Sequence, residues 1–219
     1  MQTSSITKIL GILASLAAFG DAIAEGRYQI VAGESELRIL VFRSGSLAGL
    51  GHNHVISTTA LSGTVVAADS PDDRSIDIRI PVDSLVVDDP AVRAEEGQAF
   101  SAEMSEKDVR GTRENMLGRK LLEAEEFDEI RVFSDRLSGE LPALTIEAGI
   151  TLKGSQYVVE LPASVQETDD RLIATGRTEI AHSELGLSPF TAGFGTLRVG
   201  ERMTFSYRIV ARKTDSHDE

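Results

Sequence analysis

Four histidines, His52, His54, His182 and His217, are the side chains of this chain whose type and spacing could do chemistry. His52 and His54 flank Asn53 in the stretch GSLAGLGHNHV, Gly45 to Val55. Two residues apart on a strand, they would project from one face. Two same-face imidazoles begin a site for zinc or another divalent metal, which needs at least one further protein ligand. His182 is the candidate for that ligand, because it is in phase with Ile180, whose face reads as inward. Three imidazoles with an open fourth position would suit redox or hydrolytic chemistry. Two plainer readings stand beside the metal: the histidines form a polar lining at a pocket rim, or they serve structural hydrogen bonding around the Gly49-Leu50-Gly51 turn. His217 lies in the charged tail and reads as solvated.

Other chemistries are excluded by what the chain lacks. With no cysteine among its 219 residues, it has no disulfide, thiolate metal site, iron–sulfur cluster or cysteine nucleophile. There is no Gly-x-Ser-x-Gly elbow. The glycine-rich run GLSPFTAGFGTLRVG, Gly186 to Gly200, lacks the spacing and the lysine of a phosphate loop. Its Phe190 and Phe194 read instead as aromatics that cap an opening or pack on its rim. A formal charge of −13 repels phosphate backbones and anionic membrane surfaces, so no nucleic-acid partner is expected.

The elements that must position these residues begin after a leader. Lys8, the apolar run Ile9 to Gly20 and the small residues Ala22-Ile23-Ala24 have the layout of a secretory signal peptide over residues 1–24, cleaved after Ala24. The run is shorter than the ~20 residues that span a bilayer, so no stable membrane anchor is expected. A globular domain over residues 25–212 and a disordered tail over 213–219 follow.

That domain reads as strands. Ile76, Ile78, Ile80 and Val82 share one face, with Asp77 and Arg79 on the other, which is the period of a half-buried strand. The same alternation runs through Leu144 to Leu152, Tyr157 to Val165 and Met203 to Ala211, and more weakly through Tyr28 to Ala32, Leu37 to Val41, Leu61 to Ala67, Glu129 to Ser134 and Leu172 to Ile180. About eight or nine strands result, joined by turns too short for crossover helices, so the sheet should be antiparallel. Arg38 falls opposite Leu37, Ile39 and Val41 and reads as exposed. Ser105 to Leu122 reads as one short helix over a barrel end, opened by Ser105 and Asp108. An acidic, mobile loop from Asp88 to Glu103 flanks it. Strands with one apolar face must close on themselves or stack on a second sheet. A closed barrel of about eight strands is either filled by side chains or holds one small ligand. With aromatics at 5% and slim Ile, Val, Leu and Ala facing inward, a cavity is favoured, although a β-sandwich would bury the same faces.

The run LTIEAGITLKGSQYVVELPASV, Leu144 to Val165, resembles the closing half of the YceI-like family of polyisoprenoid-binding secreted proteins. The matches are Ile150-Thr151-Leu152-Lys153-Gly154 followed by Val159-Glu160-Leu161-Pro162, with LLEAEEFDEIRVFS at Leu121 to Ser134, Leu61-Ser62-Gly63, and IAHSELGL at Ile180 to Leu187. The chain departs from the family at Asp128, where many members have proline, at His182, where many have arginine, and in its Gly-His-Asn-His element. The resemblance implies an all-β fold, a single lipocalin-like antiparallel β-barrel. It also implies a non-enzymatic periplasmic or secreted carrier that requires no cofactor and holds a long-chain isoprenoid lipid or quinone. Ile78, Ile80, Ile146, Phe205 and Tyr207 would line the interior, and His52, His54, His182, Phe190 and Phe194 the mouth. The alternative is a metalloprotein on the same barrel, using His52, His54 and His182 to bind a divalent metal. A homodimer is left open.

Overall fold

Strands that alternate apolar and polar residues have one face to hide, and here they hide it by rolling up. A computed structural model describes residues 26–168, 170–192 and 196–214. The strands are β1 (Gly26–Ile30), β2 (Glu36–Ser44), β3 (His54–Thr58), β4 (Ser62–Ala67), β5 (Ser75–Pro81), β6 (Val86–Val87), β7 (Glu129–Ser134), β8 (Leu137–Glu140), β9 (Ala143–Leu152), β10 (Ser155–Thr168), β11 (Arg171–Ala181), β12 (Thr191–Ala192) and β13 (Leu197–Lys213). Neighbouring strands pair antiparallel in the order β1-β4-β5-β7-β9-β10-β11-β13, and β13 returns to β1, closing an eight-stranded barrel. The fold is thus the all-β, lipocalin-like barrel that the alternation and the family resemblance imply.

The long β13 makes the closure. Its end pairs with β1 through Ala211, Arg212 and Lys213, while its earlier part pairs with β2 from Met203 to Arg208. β1 and β2 therefore share one edge of β13, separated by the turn at residues 31–35. Ser35, fully buried, fills the break: its hydroxyl donates to the Val210 carbonyl and accepts from the Val210 amide. β3 and β6 continue outward from β2. Lys213 still belongs to β13, and the Thr214 amide donates to Arg27, so ordered backbone runs past residue 212. The rest of the tail, with His217, lies outside the described residues, as do the segment read as a signal peptide and Phe194.

The nine alternating segments are all strands. β3, β6, β8 and β12 are additional. β3 is invisible to alternation because Val55 through Thr58 are buried on both faces. The β9–β10 hairpin turns on Lys153 and Gly154, both at positive φ (50° and 68°), with Leu152 paired to Ser155. That geometry is the two-residue turn whose twist matches the strands.

The helix expected from Ser105 is present as α2 (Glu106–Leu117), with the Ser105 hydroxyl accepting the Asp108 amide. The segment before it is not a mobile loop. It folds into α1 (Pro90–Glu95) and a 3₁₀ turn, Gln98–Phe100. Asp89 caps α1 by accepting from the Ala91 and Val92 amides, and Pro90 pre-sets the first helical position. These pieces cover the outer face of β2 and β3, where Leu40, Val55 and Phe100 form a small core of their own. Arg38 is consequently not exposed: its side chain is 18% accessible and held by Glu36, Glu95 and Glu96. The reason is a second covered layer that strand periodicity cannot register.

Candidate functional site

The barrel is hollow. A cavity of about 730 Å³ runs inside it, lined mostly by aliphatic side chains. Ile78, Ile80, Ile146, Phe205 and Tyr207, the residues expected inside, all line it. Phe205, Tyr207 and Phe190 are the aromatics in its wall. Tyr207 is laid along that wall: its hydroxyl donates to the Pro162 carbonyl, crossing β11 at Gly176. A Cβ at Gly176 would lie 2.2 Å from the Tyr207 oxygen, so only glycine leaves the space. Burial pushes the Tyr207 hydroxyl up to about 12.

One end of the cavity is the mouth. It is bordered by α2, by the 3₁₀ turn His182–Leu185, and by the first residues of the Gly-His-Asn-His element. α2 is tied in place by Arg113, which donates to the carbonyls of Leu85 and Asp83. His52 and His54 both line the cavity, with ring centroids 6.5 Å apart. Asn53 between them turns outward, accepting from the Arg43 amide at 3.0 Å and donating to the Ala99 carbonyl at 2.9 Å. The strand begins only at His54, so His52 and Asn53 precede it; both imidazoles nevertheless line the cavity while the Asn53 amide bonds outside it.

Behind His54 stands a charged pair that the sequence reading missed. His54 Nδ1 lies 2.6 Å from Asp88 Oδ2, and the Asp88 side chain is completely buried. Its other oxygen accepts from the Val55 amide and from Arg93. Arg93, itself buried, also donates to the carbonyls of Asn53, Phe100 and Ala102. Burial pushes the Asp88 carboxyl up, but His54, the Val55 amide and Arg93 outweigh it and hold it below the usual carboxylate range. The ionised carboxylate can only accept, so Nδ1 of His54 carries a hydrogen and Nε2 is the ring nitrogen left for a ligand. His182, 3% exposed, is fixed in the same sense, its Nδ1 donating to the Glu201 carbonyl at 2.9 Å. The signal that could have found the pair is Asp89-Pro90, a cap-and-first-position dipeptide that marks a helix start where a mobile loop was read.

The histidines share one cavity but do not assemble a metal centre. Among the described residues no three histidine, aspartate or glutamate side chains form a group that could hold a metal ion. Asp88 and the Glu201 carbonyl each engage one ring nitrogen, Nδ1 of His54 and Nδ1 of His182, and so fix the orientation of the two rings. Phe190, 44% exposed, stands at the mouth as expected of a rim aromatic.

At the far end Arg74, 9% exposed, also lines the cavity. It donates to the carbonyls of Ala68 at 2.7 Å and Asp69 at 3.0 Å, and its Nη1 has no partner.

Comparison with known proteins agrees with this architecture. The family model described as a YceI-like domain matches residues 28–211. Among solved structures, a polyisoprenoid-binding domain from Saccharophagus degradans implicated in plant cell wall breakdown is similar at 13% identity and a TM-score of 0.57, covering 87% of this chain and all of that one. Burkholderia cenocepacia BcnA matches at 12% identity and a TM-score of 0.56, over 83% of this chain and 98% of its own. A Campylobacter jejuni YceI protein matches at 8% identity and a TM-score of 0.52, over 73% and 85% respectively. At such identities these likenesses speak for the fold. No curated protein matches the chain.

Proposed function

The chain belongs to the YceI-like family, and on that premise we propose that it is a carrier that holds a long apolar lipid, of isoprenoid or quinone type, inside its barrel. The observation that carries the proposal is the cavity itself: about 730 Å³ of space walled by aliphatic side chains and opening at a polar rim. Each methylene of a tail moved from water into such a cavity gains ~0.8 kcal/mol, so an extended chain binds tightly with no specific polar contact along its length. A structurally similar domain is described as polyisoprenoid binding. Orientation falls to the mouth, where the Nε2 atoms of His54 and His182, joined by His52, face a polar head group. The leader-like segment before Ala24 fits export, and a sealed barrel is what moving such a tail through an aqueous compartment requires.

Organic extraction of protein purified from its native host, followed by mass spectrometry, tests this. The expected result is a near-stoichiometric long-chain lipid. Extracts with no long-chain lipid would overturn the carrier reading.

A further inference from the structure

The far end of the cavity carries a cation on an inward position. Ile76, Ile78 and Ile80 face the cavity, and Arg74 falls in the same phase of the strand period and lines it too. It stands one residue before β5, beside the pair Val66 and Ser75, at the end of the barrel away from α2 and the histidines. From there β5 runs about 20 Å along the wall to Pro81 at the usual rise per residue, so this end and the mouth are separate places.

Arg74 is 9% exposed, and only part of its guanidinium is satisfied. Nε donates to the Ala68 carbonyl and Nη2 to the Asp69 carbonyl, which holds one edge of the fork against the turn between β4 and β5. Nη1, on the other edge, is buried and has no partner. Among the described residues Arg171 Nε is also buried and unbonded, but its guanidinium reaches solvent and pairs with Glu34. Arg74 has no such outlet. Asp69, Asp72 and Asp73, its neighbours in the chain, are exposed, and its bonds to this turn go to backbone carbonyls. No described residue lining the cavity is acidic. A buried donor left unbonded is costly, and a guanidinium keeps its charge wherever it is placed. A neutral oxygen would satisfy the N–H groups of Nη1, whereas a carboxylate satisfies them and the charge together. The methyl end of a tail whose head group stays at the mouth would do neither.

We propose that the far end of the barrel is a carboxylate site. An aliphatic chain bearing a terminal carboxylate enters with that group first, lodges it on Arg74 Nη1 and leaves its hydrocarbon along the cavity toward the mouth. The proposal rests on the carrier reading for the cavity as ligand space, and adds to it a second class of ligand held in the opposite sense.

Laurate, dodecanol and geranylgeraniol, titrated into the purified chain by calorimetry, separate the two layers. Laurate and dodecanol share one tail, and laurate is expected to bind at least tenfold more tightly. That ratio should hold as ionic strength rises, because a buried pair is screened little; a carboxylate held at the solvent-facing rim would lose it. This part of the test needs no variant. Arg74→Met keeps an apolar stem without donor or charge, and is expected to bring the ratio close to one. Arg74→Lys, which keeps the charge, should retain most of the preference. Arg198→Gln, an exposed cation of the mouth, should leave it unchanged. Equal affinities in the parent, a ratio abolished by salt, an unchanged ratio in Arg74→Met, or an equal fall in Arg198→Gln would each overturn the carboxylate site, while geranylgeraniol binding would leave the carrier reading standing. Failure of all three to bind would overturn the carrier reading and the site with it.

Discussion

Asp88 is where the chemistry of the mouth is set. One oxygen holds His54 and the other holds Arg93 and the Val55 amide, so a single buried carboxylate fixes both an imidazole facing the cavity and the segment that covers β2. Changing Asp88 to Asn keeps the shape but leaves Arg93 as an uncompensated buried charge. A stability loss of about 3–5 kcal/mol is expected, measured by urea denaturation. The pH dependence has a definite sign. Because the folded carboxyl sits below its ordinary value, its contribution is fully present above the unfolded value, ~3.9, and is lost as pH falls toward the folded one. The parent should lose stability as pH falls below about 5 and toward the folded value, and Asp88→Asn should lose much less on the same acid limb. A parallel acid limb in both proteins would show that Asp88 does not hold this charge. At this scale the histidines could be read from the sequence and their partner could not. His52 and His54 announce themselves by a spacing of two, whereas His54 and Asp88 are 34 residues apart and meet only because β3 pairs with β6. No local pattern encodes that pairing.

Among the elements, the strands that were legible are those with one dry and one wet face: β5 and β10 show it most regularly, and β9 and β13 over part of their length. β3 was not legible because α1 and the Gln98–Phe100 turn cover its outer side, and a strand buried on both faces loses its alternation. The same cover hides Arg38. What periodicity also cannot show is where two strands demand a glycine between them. At Gly176 a Cβ would meet the Pro162 carbonyl at 2.1 Å and the Tyr207 hydroxyl at 2.2 Å, from β10 on one side and β13 on the other. Gly176→Ala is therefore expected to destabilise the β10–β11–β13 wall by about 1–3 kcal/mol, the usual cost of overpacking. Adding Tyr207→Phe removes the hydroxyl but neither the Pro162 carbonyl nor the ring Cζ, itself 2.3 Å from the added Cβ, so the double variant should recover only part of the loss. Full recovery in thermal melts would mean that the backbone and the ring yield and the Tyr207 hydroxyl alone requires the glycine.

For the whole molecule, closure and hollowness are linked. β13 is long enough to carry β2 along one stretch and β1 along the next, so the sheet joins itself without an exposed edge in the ring. Without disulfides, that closure and the apolar wall must hold the fold. An eight-stranded ring leaves room that large side chains would fill; here the inward positions are mostly slim, so the room stays empty. Emptiness is a cost, because wall atoms facing a void lack dispersion partners on one side. A side chain that fills the void should therefore compete with the ligand and relieve that cost together. Ile146→Trp is the substitution that tests it. Ile146 faces the cavity from β9, and the indole would be the chain's sole tryptophan, giving a fluorescence signal from inside the barrel. The expected outcome has two parts. Lipid recovered with the purified variant should fall at least tenfold, and the ligand-free variant should melt no lower than the ligand-free parent. Undiminished lipid with a blue-shifted indole would mean that the tail lies elsewhere, whereas a lower melting temperature would mean that the wall at Ile146 has no space to give. The pairing of lost ligand with retained stability is the signature of a space kept open for function, since a cavity left by poor packing would yield the stability gain with no lipid to lose.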